Sequence, residues 1–220
     1  GDDVSILNCS NNNCEASAVV QLIAKLHEAG VNLALGTDGM SSNDSQSIFE
    51  AMKITALLHK VTMPDYKRWP NAKDVFKAAT VGGAKSTRRI DHTGSIEEGK
   101  KADLVFYDLN SIAFTPTNDL LNHLVYCENG EDIVRVMVNG KTVVKDSKIL
   151  TVEDEKAILN ELRAELPGFY EKYKVAKEWA DKMFPYVQQV YEKSYTQSTN
   201  LNRLSGNDAE WVKIQGFLNK

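Results

Sequence analysis

Apolar positions in the first 90 residues follow two periods. "VNLAL" places Val31, Leu33 and Leu35 at every second position, the signature of a strand with one buried face, and "VSIL" near the start is a shorter run of the same kind. Between them Ala16, Val19, Val20, Ile23 and Leu26 recur at helical spacing, and Gly30 stands where a helix-terminating glycine belongs. A second helix is predicted from about residue 45 to 60, with Asp44 or Ser45 as its N-cap, and a third from about 72 to 80. Strand–helix–strand–helix with short connections predicts parallel strands joined by crossovers. Two strands cannot bury both faces of a sheet, so this region calls for further strands.

From about residue 91 to 150 the period becomes two. A strand is predicted over residues 102–109, a short helix over 119–127, and a hairpin in "IVRVMVNGKTVVKD". Asn139-Gly140 is the dipeptide a type I′ turn prefers, because both central residues can take positive φ. From residue 151 onward the chain is helical. Thr151 is the expected cap of a helix carrying Ile158, Leu159, Leu162 and Leu166, which Pro167-Gly168 is expected to stop. Phe169, Tyr173, Ala176, Ala180, Met183, Val187 and Val190 then form one apolar seam on a long helix, with a bend expected at Pro185. The predicted organisation is therefore 1–90, 91–150 and 151–220.

Composition narrows the function classes. The 220 residues carry a net charge of −4 with no basic stripe or arm, which argues against nucleic acid and anionic membrane partners. No apolar run approaches the ~20 residues that span a bilayer. Cys9, Cys14 and Cys127 are odd in number and lack a framework spacing, so a reducing, cytoplasmic setting is the simplest expectation.

The candidate chemistry lies in "GTDG". Asp38 follows the strand 31–35, where a parallel barrel would gather its catalytic loops. Its carboxylate suits a divalent metal, and Gly36 and Gly39 would let the backbone turn and keep the approach open. A turn or N-cap aspartate fits the same position, and these residues alone leave the choice open.

The wider pattern bears on that choice. "EAGVNLALGTDGMSSNDSQSIFEAMKITALLHK", "AATVGGAKSTRRIDHTGSIEEGKKADLVFYDL" and "LVYCENGEDIVRVMVNGKTVVKD" resemble, in order, the last barrel strand, the return segment and the closing hairpin of the amidohydrolase superfamily, in its deaminase and chlorohydrolase branch. The resemblance runs from about residue 4 to 149. It implies an α/β fold: the C-terminal part of a (β/α)8 barrel, then β-sandwich strands, then a helical tail. It also implies one zinc or iron ion and hydrolysis of an amino or chloro substituent on a purine, pterin or triazine ring. By position, Asp38 becomes both metal ligand and catalytic base. Counting back from Gly30 puts Asn13 at the family's substrate-side asparagine, while Asn8 and Ser10 stand where the family has histidine and proline. The branch takes its other ligands from a His-x-His and one further histidine on earlier strands, and adds an acid–base glutamate and another histidine there. His27, His59, His92 and His123 form no such pair and read as structural or solvent-facing. The chain then corresponds to the last quarter of a barrel and by itself is expected to be inactive, with small-molecule partners and a possible homo-oligomeric state. A catalytically incomplete binding protein, or a separate helical interaction module over 151–220, is the alternative.

Overall fold

The computed structural model describes residues 5–8, 23–62 and 65–196. The chain divides into two compact units, one holding Gly1–Ile149 and the other Leu150–Asn200.

In the first unit β1 (Ser5–Asn8) and β2 (Asn32–Leu35) pair in parallel, from Ser5 opposite Asn32 to Asn8 opposite Leu35. The loops that follow the two strands therefore leave from the same end. Between them lies α1 (Ile23–Glu28), closed by Gly30 at φ +73°, whose N–H returns to the His27 carbonyl at 3.0 Å. After a single helical turn, α2 (Met40–Asn43), comes α3 (Ile48–Thr62). Its cap is neither Asp44 nor Ser45, as the sequence suggests. Asp44 takes φ +58° and ends α2, and the Ser47 hydroxyl accepts from the Glu50 N–H at 3.3 Å. The extra turn of α2 uses up the residues that would otherwise have started α3.

A short 3-10 turn (Tyr66–Arg68) leads to α4 (Ala72–Lys77), which opens with a capping box between Asn71 and Asp74. The single helix expected over 72–80 continues instead through a π-helical segment, Ala78–Gly82, into α5 (Gly83–Ser86). Gly82 explains the widened turn. It lies so close to β2 that a Cβ there would sit 2.0 Å from the Leu33 carbonyl oxygen, and its own carbonyl accepts from the Asn32 side chain at 3.0 Å.

The core forms on one face of β2. Leu35 packs with Met52 and Ala56 of α3, Val75 of α4 and Val125 of α6 (Leu120–Tyr126), with Leu33 at its margin. Asp119 caps α6 by accepting from the Asn122 N–H at 2.9 Å. Thus α6, although it belongs by sequence to the β-rich region, closes the helical layer over β2.

The second sheet is antiparallel, in the order β3 (Leu104–Tyr107), β4 (Ile133–Val138), β5 (Lys141–Lys145) and β6 (Lys148–Ile149). Asn139 and Gly140 take φ +50° and +80°, as the type I′ expectation requires. A further tight turn at Asp146-Ser147, φ +48° and +60°, adds β6, which the sequence reading did not include. None of the residues in these four strands is fully buried, and Val105, Phe106, Val134 and Val138 are exposed.

The second unit is one helix, α7 (Glu155–Thr196). Asp154, not Thr151, caps it, accepting from the Ala157 N–H at 2.9 Å. Pro167-Gly168 does not stop it. A proline inside a helix forfeits one hydrogen bond and costs about 3 kcal/mol. Long runs of good helix formers on both sides, with both residues exposed so that water can take the orphaned carbonyl, absorb that cost here. Among the described residues no helix is long and apolar enough to cross a membrane.

Candidate functional site

Asp38 lies three residues beyond the end of β2 and is exposed. The left-handed turn falls on Asp38 itself, at φ +62°, whereas Gly39 has φ −84° and Gly36 is not a positive-φ glycine. The expectation that the two glycines shape the turn is corrected accordingly. Aspartate and asparagine enter this region more readily than other side chains because a short polar side chain can bond its own backbone. Asp38 does so: its Oδ1 accepts from the Gly39 N–H at 2.6 Å. The Thr37 hydroxyl donates to the Asp38 carbonyl at 3.2 Å. A strained residue just past a buried strand is a common mark of a functional position.

The polar residues that follow Asp38 have local duties. The Asn43 side chain donates to the Ser45 carbonyl at 2.6 Å, and Asp44 terminates α2. Asn13 lies outside the described residues. Because β1 and β2 are parallel, β1 ends at Asn8 beside the end of β2 that leads to Asp38.

The histidines do not converge. His27 is exposed on α1, 4.0 Å from the Asp74 carboxylate, His59 lies on α3, and His92 is exposed in a loop. His123 is held by the loop before its helix, with Nδ1 2.6 Å from the Ala113 carbonyl and Nε2 3.1 Å from Asn118 Oδ1. Among the described residues no three His, Cys, Asp or Glu side chains gather to hold a metal ion. Asp38 is a carboxylate at the right end of the strands, so its donor chemistry fits one place in a metal's coordination shell; the remaining ligands are not among the described residues.

A cleft of about 320 Å³ opens elsewhere, on the helix-covered face of β2. Leu33, Leu35, Val75 and Trp69 line it, and Arg68 closes onto Glu28 at 2.7 and 3.1 Å beside it. Asp38 does not border it.

The family model for the amidohydrolase family matches residues 1–143, well over half of the chain. The chain belongs to the amidohydrolase family. A 5′-deoxyadenosine deaminase of Methanosarcina barkeri is 38% identical over 164 residues, covering 71% of this chain and 37% of that protein. A 5-methylthioadenosine/S-adenosylhomocysteine deaminase of Thermococcus sibiricus is 41% identical over 147 residues, covering 64% and 33%. The crystal structure of a zinc-bound adenosine deaminase from Xanthomonas campestris superposes with a TM-score of 0.66 at 31% identity, over 73% of this chain and 36% of that one. An atrazine chlorohydrolase from Arthrobacter aurescens, complexed with zinc, does so at 0.60 and 26%, over 64% and 31%. The chain spans about a third of the length of these relatives. The family assignment drawn from "GTDG", the return segment and the "VNG" hairpin therefore stands, and the matched residues include Asp38, β1 to β4 and the start of β5.

One carboxylate in this amidohydrolase chain escapes sequence reading. Glu128, between α6 and β4, is buried at 3% exposure. Its Oε1 accepts from the Gly130 N–H at 2.5 Å and the Asp132 N–H at 3.4 Å, while Oε2 is buried without a partner. Burial pushes its carboxyl above the usual range; the Gly130 N–H works against that, and Asp132 contributes in both directions. Nearby Tyr107 is pushed up to about 12, by burial first and then by the Glu128 charge. No pattern marks Glu128 in advance, because its burial depends on the turn that folds back beneath it.

Proposed function

We propose that the intact protein is a metal-dependent aminohydrolase that removes the ring amino group of an adenine-type nucleoside, within the wider class of purine, pterin and triazine substrates. The observation that carries this reading is Asp38, strained and exposed at the C-terminal end of β2, in a chain whose matched relatives are named as deaminases of adenosine derivatives. On this reading β1 and β2 are the last two strands of a (β/α)8 barrel, within residues 1–90. The four-stranded sheet within 91–150 is part of a small β-sandwich, and 151–220 is a helical extension. The exposure of Val105, Phe106 and Val138 supports the sandwich assignment, since apolar strand faces of this kind need a second layer. The earlier barrel strands and the histidine ligands then lie outside this chain.

A bound zinc or iron ion would supply the Lewis acidity that makes water nucleophilic at neutral pH. Asp38 would give that ion one carboxylate oxygen and would accept the proton that water sheds as it adds to the ring carbon. Asp38 then returns the proton to the departing nitrogen; the C–N bond breaks, ammonia leaves and a ring carbonyl remains. Asn13, which follows β1 in sequence, is assigned to substrate contact by the resemblance. The three cysteines, without a disulfide framework, fit a cytoplasmic enzyme.

The test is a deaminase assay on the longer protein with adenosine, 5′-deoxyadenosine, 5′-methylthioadenosine, a pterin and a chlorotriazine, reading ammonia or chloride release. Zinc- or iron-dependent ammonia release from the nucleosides is expected. Metal-independent turnover would overturn the metal's role, and no turnover with any of the five would overturn the reading in favour of a binding protein.

A further inference from the structure

We propose that α7 pairs with the α7 of a second copy of this chain as an antiparallel coiled coil. Because α7 runs unbroken through Pro167-Gly168, two apolar patterns that the sequence separates become one. From Leu159 to Val190 the apolar positions advance by alternating steps of three and four residues, for more than four heptads. A repeat this long is the mark of helix pairing along a seam. The seam side chains are exposed, apart from half-buried Leu166. Taking Leu159 as position a, Pro167 falls at b and Pro185 at f, on the far side from the seam. The bonds they forfeit therefore face water, and a proline kink bends the helix away from the proline side, toward a partner.

Length selects the occupant. A helix covering this seam must run roughly 48 Å. Among the described residues the next longest helix is α3, with 15 residues, and its apolar side chains Met52 and Ala56 are already in the core. The α7 of a second copy has both the length and the matching repeat.

Side-chain size selects the direction. A parallel pair would stack Tyr173 on Tyr173 and Ala176 on Ala176, bulging at one layer and hollow at the next. It would also set Lys172 against Lys177 of the partner subunit, a like-charge contact across the flanking positions. An antiparallel pair about a two-fold axis between Lys174 and Val175 avoids both. Tyr173 then meets Ala176 of the partner subunit, and Phe169 meets Ala180 of the partner subunit. Leu166 faces Met183 of the partner subunit, and the outer layers pair leucine with valine. Every large ring sits opposite an alanine, the alternation that fills a helix interface without voids. The contact is isologous and closed, so it makes a dimer rather than a filament.

The test is sedimentation velocity of the 220-residue chain, with far-UV circular dichroism on the same samples. The parent is expected to sediment at twice the monomer mass or above. Ala176→Glu and Tyr173→Lys, each alone, bury an unpaired charge in the central layers and should weaken self-association by roughly a hundredfold or more. The double variant Tyr173→Lys/Ala176→Glu places opposite charges face to face only in the antiparallel arrangement, and should recover association at low salt. A monomeric parent, or single variants with unchanged mass, would overturn the seam as the interface; a double variant that stays monomeric would overturn the antiparallel direction.

Discussion

Asp38 can be tested as a single residue because its two readings predict opposite outcomes. If it binds the metal and moves the proton, Asp38→Asn in the longer protein should lower kcat by about 100-fold or more, the usual worth of a positioned acid–base group. Folding should be nearly unchanged, because asparagine also tolerates the left-handed backbone that Asp38 adopts. If Asp38 is only a turn residue, kcat per folded molecule stays intact, and Tm is again nearly unchanged because asparagine holds the same turn. Measuring kcat and Tm on one variant decides. Glu128 gives a second prediction with a defined sign. Its folded-state pKa is raised, mainly by burial, so its favourable contribution is complete below the unfolded carboxylate value and is lost as pH rises through the folded value. Glu128→Gln keeps an acceptor for the Gly130 N–H but cannot ionise. Its Tm should stay near the parent's at pH 4 and rise above it by pH 7; a variant less stable at both would show that the carboxylate itself is needed. The position of Asp38 was legible in the sequence and its backbone strain was not, since "GTDG" offers two glycines that could equally have taken the turn.

At the scale of elements, the π-helical segment between α4 and α5 is the informative departure. Periodicity in residues 72–80 sees one helix, because a single widened turn barely disturbs the apolar spacing. What forces the widening is contact: Gly82 seats directly on the β2 backbone. Gly82→Ala should therefore cost about 1–3 kcal/mol, as overpacking does. Gly83→Ala, where an added Cβ meets nothing within 4 Å, should be neutral or stabilise by about 0.5–1 kcal/mol. Urea unfolding of the two variants measures the contrast, and equal effects would mean that the close approach is not decisive. Caps show a similar limit. Ser47 and Asp154 displace Asp44, Ser45 and Thr151 because neighbouring polar residues compete for the same few free N–H groups.

For the whole molecule, the described residues of the 220-residue chain present one candidate ligand where catalytic zinc sites use three protein ligands and a water. Dialysed against micromolar zinc or iron, it should retain no stoichiometric metal in elemental analysis and show no turnover. Bound metal at one equivalent together with ammonia release would mean that this chain alone completes a site. The two-stranded parallel sheet and the largely exposed antiparallel sheet explain why burial among the described residues is sparse. Exposed apolar strand faces of this kind are completed by further layers or by association.

The sequence alone determined what local chemistry dictates. The alternation in "VNLAL", the helical spacing into Gly30, the Asn139-Gly140 turn and the family motifs around Asp38 each act over a few residues and survive in any context. Tertiary structure decided what depends on partners far along the chain. It assigned the left-handed turn to Asp38 rather than to the glycines, widened the helix at Gly82, buried Glu128 and drew α6 onto the core. In each case the deciding energy is a contact or a buried charge. None of these can be summed from neighbouring residues, because each exists only once the chain has folded around it.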